Sequence, residues 1–100
     1  MRRALLLCAL LAAGGALAQS NDPTIGRNLA ASCANCHGTN GHSKNEMPTL
    51  AGKSALQTAQ MMREFRDGKR TATIMHQIAK GYTDEQITLI AAYFAAQRIK

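Results

Sequence analysis

From Ser54 onward the apolar positions recur at helical spacing. Leu56, Ala59, Met62 and Phe65 fall on one side of such a helix, and Gln57, Gln60, Arg63 and Arg66 face away. Ser54 is suited to cap it, and Asp67-Gly68 to end it. A polar linker follows. Thr71 to Met75 then returns towards the centre, and Ile78 to Tyr82 leads to a stop at Gly81. Thr83-Asp84-Glu85-Gln86 has the form of a capping box, with Thr at the N-cap and Gln three residues on. It opens a last helix whose apolar residues Ile87, Ile90, Ala91 and Phe94, with Leu89 and Tyr93 alongside, make a wide buried face. Nearer the start, Asp22-Pro23 reads as an N-cap followed by proline at the first helical position. A short helix over Ile25 to Cys33 would put Ile25, Leu29 and Ala30 on one side and deliver Cys33 at its end. Gly38 to Ser43 has turn composition, and Pro48 to Gly52 is a second non-helical connector. The pattern predicts an all-α domain of three to five helices, without internal repeats or a linker to a second domain.

The first residues carry a different signal. Arg2-Arg3 form a basic start, Ala4 to Leu11 an apolar stretch, and Ala16-Leu17-Ala18 a small-x-small cleavage site. Residues 1–18 are therefore expected to be a cleaved export signal, with the domain occupying residues 19–100 from Gln19 and residing in the periplasm. The apolar stretch is too short to span a bilayer, and no other segment could. Loss of Arg2 and Arg3 lowers the formal charge from +6 to +4. Lys53, Arg63, Arg66, Lys69, Arg70 and Lys80 fall in the middle of the chain, where they could form a positive rim for an acidic partner or merely a solvated surface. Export and the lack of any recognition module argue against nucleic-acid binding. With only four aromatic residues, a chain this short has limited apolar surface to bury.

Chemistry enters at Cys33-Ala34-Asn35-Cys36-His37. Two thiols and an imidazole at this spacing meet the requirement for covalent c-type haem attachment. Cys33 and Cys36 would each add to one vinyl group of the porphyrin, and His37 would reach the iron from the proximal side. A structural zinc site would need further ligands, yet Cys8 leaves with the signal and His42 and His76 form no HxxxH pair. A redox dithiol would call for a βαβ surround, which the pattern lacks. One haem c would act as the largest single piece of the core, so the apoprotein should fold poorly. The host must keep the thiols reduced in an oxidising compartment until attachment.

Iron held by one histidine has a further axial position, and Met75 is the candidate for it. It lies between the second helix and the last, so a loop can bring its thioether to the face opposite His37; a soft ligand there raises the potential. Met61 and Met62 read as gap-filling core, and Met47 lies too close to the attachment site. His76 is the competing ligand, and His42 reads as a loop residue at the haem edge. Pro48 is a candidate to fix the His37 ring through its carbonyl, or else a plain turn.

Cys-Ala-x-Cys-His-Gly at 33–38, Pro-x-Leu-Ala-Gly at 48–52, Met75 and the closing Ala92-Tyr93-Phe94 together resemble the class I bacterial cytochromes c. The resemblance implies an all-α fold with one haem, crossed first and last helices, and close packing of Gly26 against Tyr93 or Phe94. Thr73-Ile74-Met75 with Ile78-Ala79-Lys80-Gly81-Tyr82-Thr83-Asp84-Glu85 is similar to the ligand loop in cytochrome subunits of flavocytochrome c sulfide dehydrogenase. That resemblance implies a single-haem subunit taking electrons from a sulfide-oxidising flavoprotein subunit and passing them to a downstream redox acceptor. The chain has no flavin-binding glycine motif, so no catalytic site of its own is expected. The alternatives are a free periplasmic shuttle, which would dock through a small charged rim, and a haem ligand-binding sensor, which would need an open distal site.

Overall fold

Asp22 opens the first helix of the computed structural model, which describes residues 22–99. The expected signal segment and its cleavage before Gln19 lie outside the described residues. In α1, Pro23–Ala30, the Asp22 carboxylate accepts the Thr24 backbone N–H at 2.9 Å and the Thr24 hydroxyl at 2.7 Å. Pro23 lacks an N–H that would have no partner at this position. The α-helix does not continue to Cys33 as the pattern predicts. Ala31 keeps helical angles with no glycine to turn the chain away, so the backbone tightens into a 3-10 turn over Ala31–Cys33. It then resumes as α2, Ala34–His37.

α3 spans Ala55–Arg66, and the Ser54 hydroxyl accepts the Gln57 N–H at 3.3 Å. Its buried residues are Thr58, Ala59 and Met62, whereas Leu56 is 77% exposed. Two corrections to the sequence reading follow from the helical wheel. At 100° per residue Leu56 lies about 120° from Met62, off the buried stripe, whereas Arg66 lies only about 40° from it. Arg66 is accordingly half-buried instead of facing away, and reaches Asp84 at 2.7 Å.

α4 is Met75–Ala79, and α5 is Asp84–Ala95. The expected capping box is present at α5. Thr83 Oγ1 accepts the Gln86 N–H at 3.1 Å, and Gln86 Oε1 accepts the Thr83 N–H at 2.9 Å. Ile87, Ile90, Ala91 and Phe94 are each at most 2% exposed.

α5 is the central element, with α1 and α3 both packed on it. One side builds a cluster of Ala59, Met62, Ala79, Ile87 and Ala91, and the other a cluster of Ala30, Ile90 and Phe94, with Tyr82 touching both. The α1–α5 crossing is close because Gly26 has no side chain. A Cβ there would stand 2.9 Å from the Leu89 carbonyl oxygen and 3.7 Å from Tyr93 Cβ, so the neighbour is Tyr93 with Leu89. Every regular element is helical and no strand occurs among the described residues. The expected all-α architecture is what forms, and no helix in the described residues is long and apolar enough to cross a membrane.

Candidate haem site

The attachment motif is held rigidly. Cys36 and His37 sit on α2, Cys33 at its N-cap, and Gly38 ends it with a φ of 87°. A Cβ at Gly38 would collide with the His42 carbonyl oxygen, so only glycine lets the chain turn there. Both thiols are unpaired; Cys33 is half-buried against the Ala30, Ile90 and Phe94 cluster and Cys36 is exposed. Burial pushes the Cys33 thiol pKa up, outweighing its hydrogen bonds.

The His37 ring is fixed by the connector. Its Nδ1 lies 2.6 Å from the Pro48 carbonyl oxygen. A carbonyl oxygen can only accept, so Nδ1 carries the proton and the Nε2 lone pair is left available to a metal. The connector is itself anchored. Leu50 N and Ala51 N donate to the Gly41 carbonyl at 2.8 and 3.2 Å, and Gly52 N to the Phe94 carbonyl at 2.9 Å. Pro48 therefore does more than turn the chain.

Cys33, Cys36 and His37 form one wall of a cavity of about 410 Å³. Its other walls come from the connector, from α3 through Met61, Met62 and Phe65, and from Ile74, Met75 and Ile78 around the start of α4. Met75 is half-buried and packs on the cluster containing Met62 and Ile87. His76 and His42 are not on the wall, and His76 Nδ1 is buried with no hydrogen-bond partner among the described residues. Met62 is core, as its position in the helix predicts, but Met61 lies on the cavity wall outside the core clusters, and Met47 also reaches the wall. Thr58 and Ser32 line the cavity too, and neither stands out in the sequence. Thr58 could have been found from its register, four residues before Met62. Ser32 is placed by the Tyr82 hydroxyl 3.1 Å away, a contact across fifty residues that no local pattern records.

The cavity is of the size expected for a cofactor site and largely apolar. Residues 21–94 match the family model described as cytochrome C oxidase, cbb3-type, subunit III. The chain belongs to this family of c-type cytochromes. The cytochrome is 48% identical over 69 residues to the cytochrome subunit of sulfide dehydrogenase of Chlorobaculum tepidum, covering 69% of this chain and 63% of that protein. It is 36% identical over 98 residues to cytochrome c4 of Pseudomonas aeruginosa, covering 95% of this chain and 49% of that one. Against cytochrome c-554(548) of Halomonas halodenitrificans the identity is 35% over 82 residues, covering 78% of this chain and 99% of the relative. The matches thus span about two thirds and half of the first two relatives' length. Class I cytochromes c are its homologues, and family and homologues indicate one covalently bound haem c at the single Cys-x-x-Cys-His motif of this chain. The residues present fit that group: two unpaired thiols and an imidazole with its Nδ1 engaged face an apolar chamber. No group of three or more His, Cys, Asp or Glu side chains suited to another metal occurs among the described residues.

Proposed function

We propose that this cytochrome is a periplasmic subunit that accepts electrons one at a time from a sulfide-oxidising flavoprotein subunit and passes them to a downstream redox acceptor. The observation that carries its site chemistry is the His37 Nδ1 to Pro48 carbonyl contact at 2.6 Å on the wall that holds both thiols. When bound, haem c supplies a one-electron iron couple. Cys33 and Cys36 would hold the porphyrin through thioether bonds, each free thiol adding its S–H across one vinyl group. His37 would offer Nε2 to the iron, and the Pro48 carbonyl orients the ring and raises its basicity. Met75 would offer its thioether to the iron from another wall of the chamber. Its place on the cavity wall favours it over the neighbouring His76, whose ring is not on the wall. Leu50, Phe65, Ile90 and Phe94 exclude water, which keeps the surroundings alike in both oxidation states and reorganisation small. The identity to a sulfide dehydrogenase cytochrome subunit supports the choice of donor.

A free periplasmic shuttle is the second reading. It is favoured by the relative whose length this chain spans almost entirely, cytochrome c-554(548). Gentle purification of the native protein separates the two. Co-purifying flavin, with haem reduced rapidly on addition of sulfide, supports the subunit; a flavin-free cytochrome that sulfide does not reduce catalytically contradicts it and favours the shuttle.

A further inference from the structure

Haem c carries two propionate carboxylates that it would bring to this chamber, and a carboxylate beside apolar surface needs a cation or hydrogen-bond donors. Four wall residues other than the cysteines carry polar side chains: Ser32, His37, Lys53 and Thr58. Two of them are already engaged, Ser32 with the Tyr82 hydroxyl and His37 with the Pro48 carbonyl. Lys53 makes no ion pair among the described residues, whose bridges all involve Arg63, Arg66 or Arg70. Thr58 is only 7% exposed, and no hydrogen bond of its hydroxyl occurs among the described residues, although its N–H donates to Ser54 within the helix. A hydroxyl without a protein partner, on a largely buried residue of the chamber wall, is a donor open to an acceptor in the chamber. Lys53 precedes the N-cap of α3 and Thr58 sits one turn in, so both belong to the helix end whose dipole favours negative charge.

We propose that Lys53 and Thr58 form the seat of a haem propionate, the ammonium supplying the countercharge and the hydroxyl a hydrogen bond. They act as positioning residues: they fix the carboxylate end of the macrocycle while Cys33 and Cys36 fix the vinyl side. The Lys53 cation also favours the ferrous state, because reduction places an extra electron close to it. The proposal rests on the covalent haem reading above.

The test uses holoprotein carrying Lys53→Gln, Lys53→Arg, Thr58→Val or Lys44→Gln. Lys44 is exposed and not on the cavity wall, and its replacement removes the same charge. Pyridine haemochrome absorbance first reports haem attachment, so failure of the attachment reading is distinguished from failure of the seat. Ferrous-minus-ferric infrared spectra then follow the propionate carboxylate stretch, and redox titration the midpoint potential. Lys53→Gln and Thr58→Val are each expected to move the carboxylate band, with Lys53→Gln also lowering the potential. Lys53→Arg should restore both, and Lys44→Gln should leave the band in place. A band unmoved in Lys53→Gln, or moved equally in Lys44→Gln, overturns the proposal; a band unmoved in Thr58→Val removes the hydroxyl from the seat.

Discussion

At the scale of single residues, the site depends on atoms that have no substitute. Cys36→Ala leaves one thioether, so the pyridine haemochrome α-band should move to longer wavelength and the yield of folded protein should fall. Gly41, between the attachment motif and the connector, has a φ of 80°, and a Cβ there would stand 2.8 Å from Phe94 Cδ1 and 2.9 Å from Ala51 N. Gly41→Ala should therefore destabilise the holoprotein by about 1–3 kcal/mol through overpacking, with backbone strain added. Thermal unfolding checks this; a melting temperature equal to wild type would contradict it. The cysteine pair and His37 are legible in the sequence because their chemistry is written in five consecutive residues. Pro48 is legible only as a rigid point suited to presenting a carbonyl. Ser32 and Thr58 escape notice because a hydroxyl acquires its role from what the fold sets opposite it.

At the scale of elements, the caps are local and so can be read before folding. The Thr83 and Gln86 box forms as the sequence predicts, and Thr83→Ala should cost about 1 kcal/mol. A domain of this size would then melt about 4–8 °C lower. Helix faces are read less well, because the buried stripe depends on what packs there. Leu56 has helical spacing from Ala59 but lies outside the contact with α5 and α4, while Arg66 lies near its edge. Arg66 and Arg63 converge on Asp84 at 2.7 and 3.2 Å and tie the end of α3 to the start of α5. Their hydrogen bonds and charge hold the Asp84 carboxyl below its ordinary pKa. A folded-state value below the unfolded one means that this stabilisation is complete above the unfolded carboxylate pKa, about 3.9. It is lost as pH falls through the lower folded value. Asp84→Asn should thus be less stable than wild type at neutral pH, with the difference closing in strong acid and shrinking in high salt. A difference independent of pH would contradict this account of the pair.

At the scale of the whole molecule, two small clusters share α5 and leave a chamber of about 410 Å³ between the attachment motif and the distal segment. Met47, Ile74 and Ile78 face that chamber while remaining 46%, 51% and 38% exposed. Haem covers such surface, so a Cys33→Ala, Cys36→Ala chain made without attached haem should lose helical circular dichroism and unfold without a sharp transition. A cooperative transition matching the holoprotein would show that the polypeptide alone suffices. The all-helical class follows from periodicity, but the chamber could only be foreseen from the attachment motif and the shortage of aromatic residues. The walls also bring Met61 and Met47 to the same space as Met75, so the identity of the distal ligand is the point on which the account turns. The deciding measurement is the visible and near-infrared absorption of the ferric Met75→Ala holoprotein beside wild type. Loss of the weak thioether-to-iron charge-transfer band and conversion to high-spin iron are the predicted results; an unchanged spectrum would contradict Met75 as the ligand.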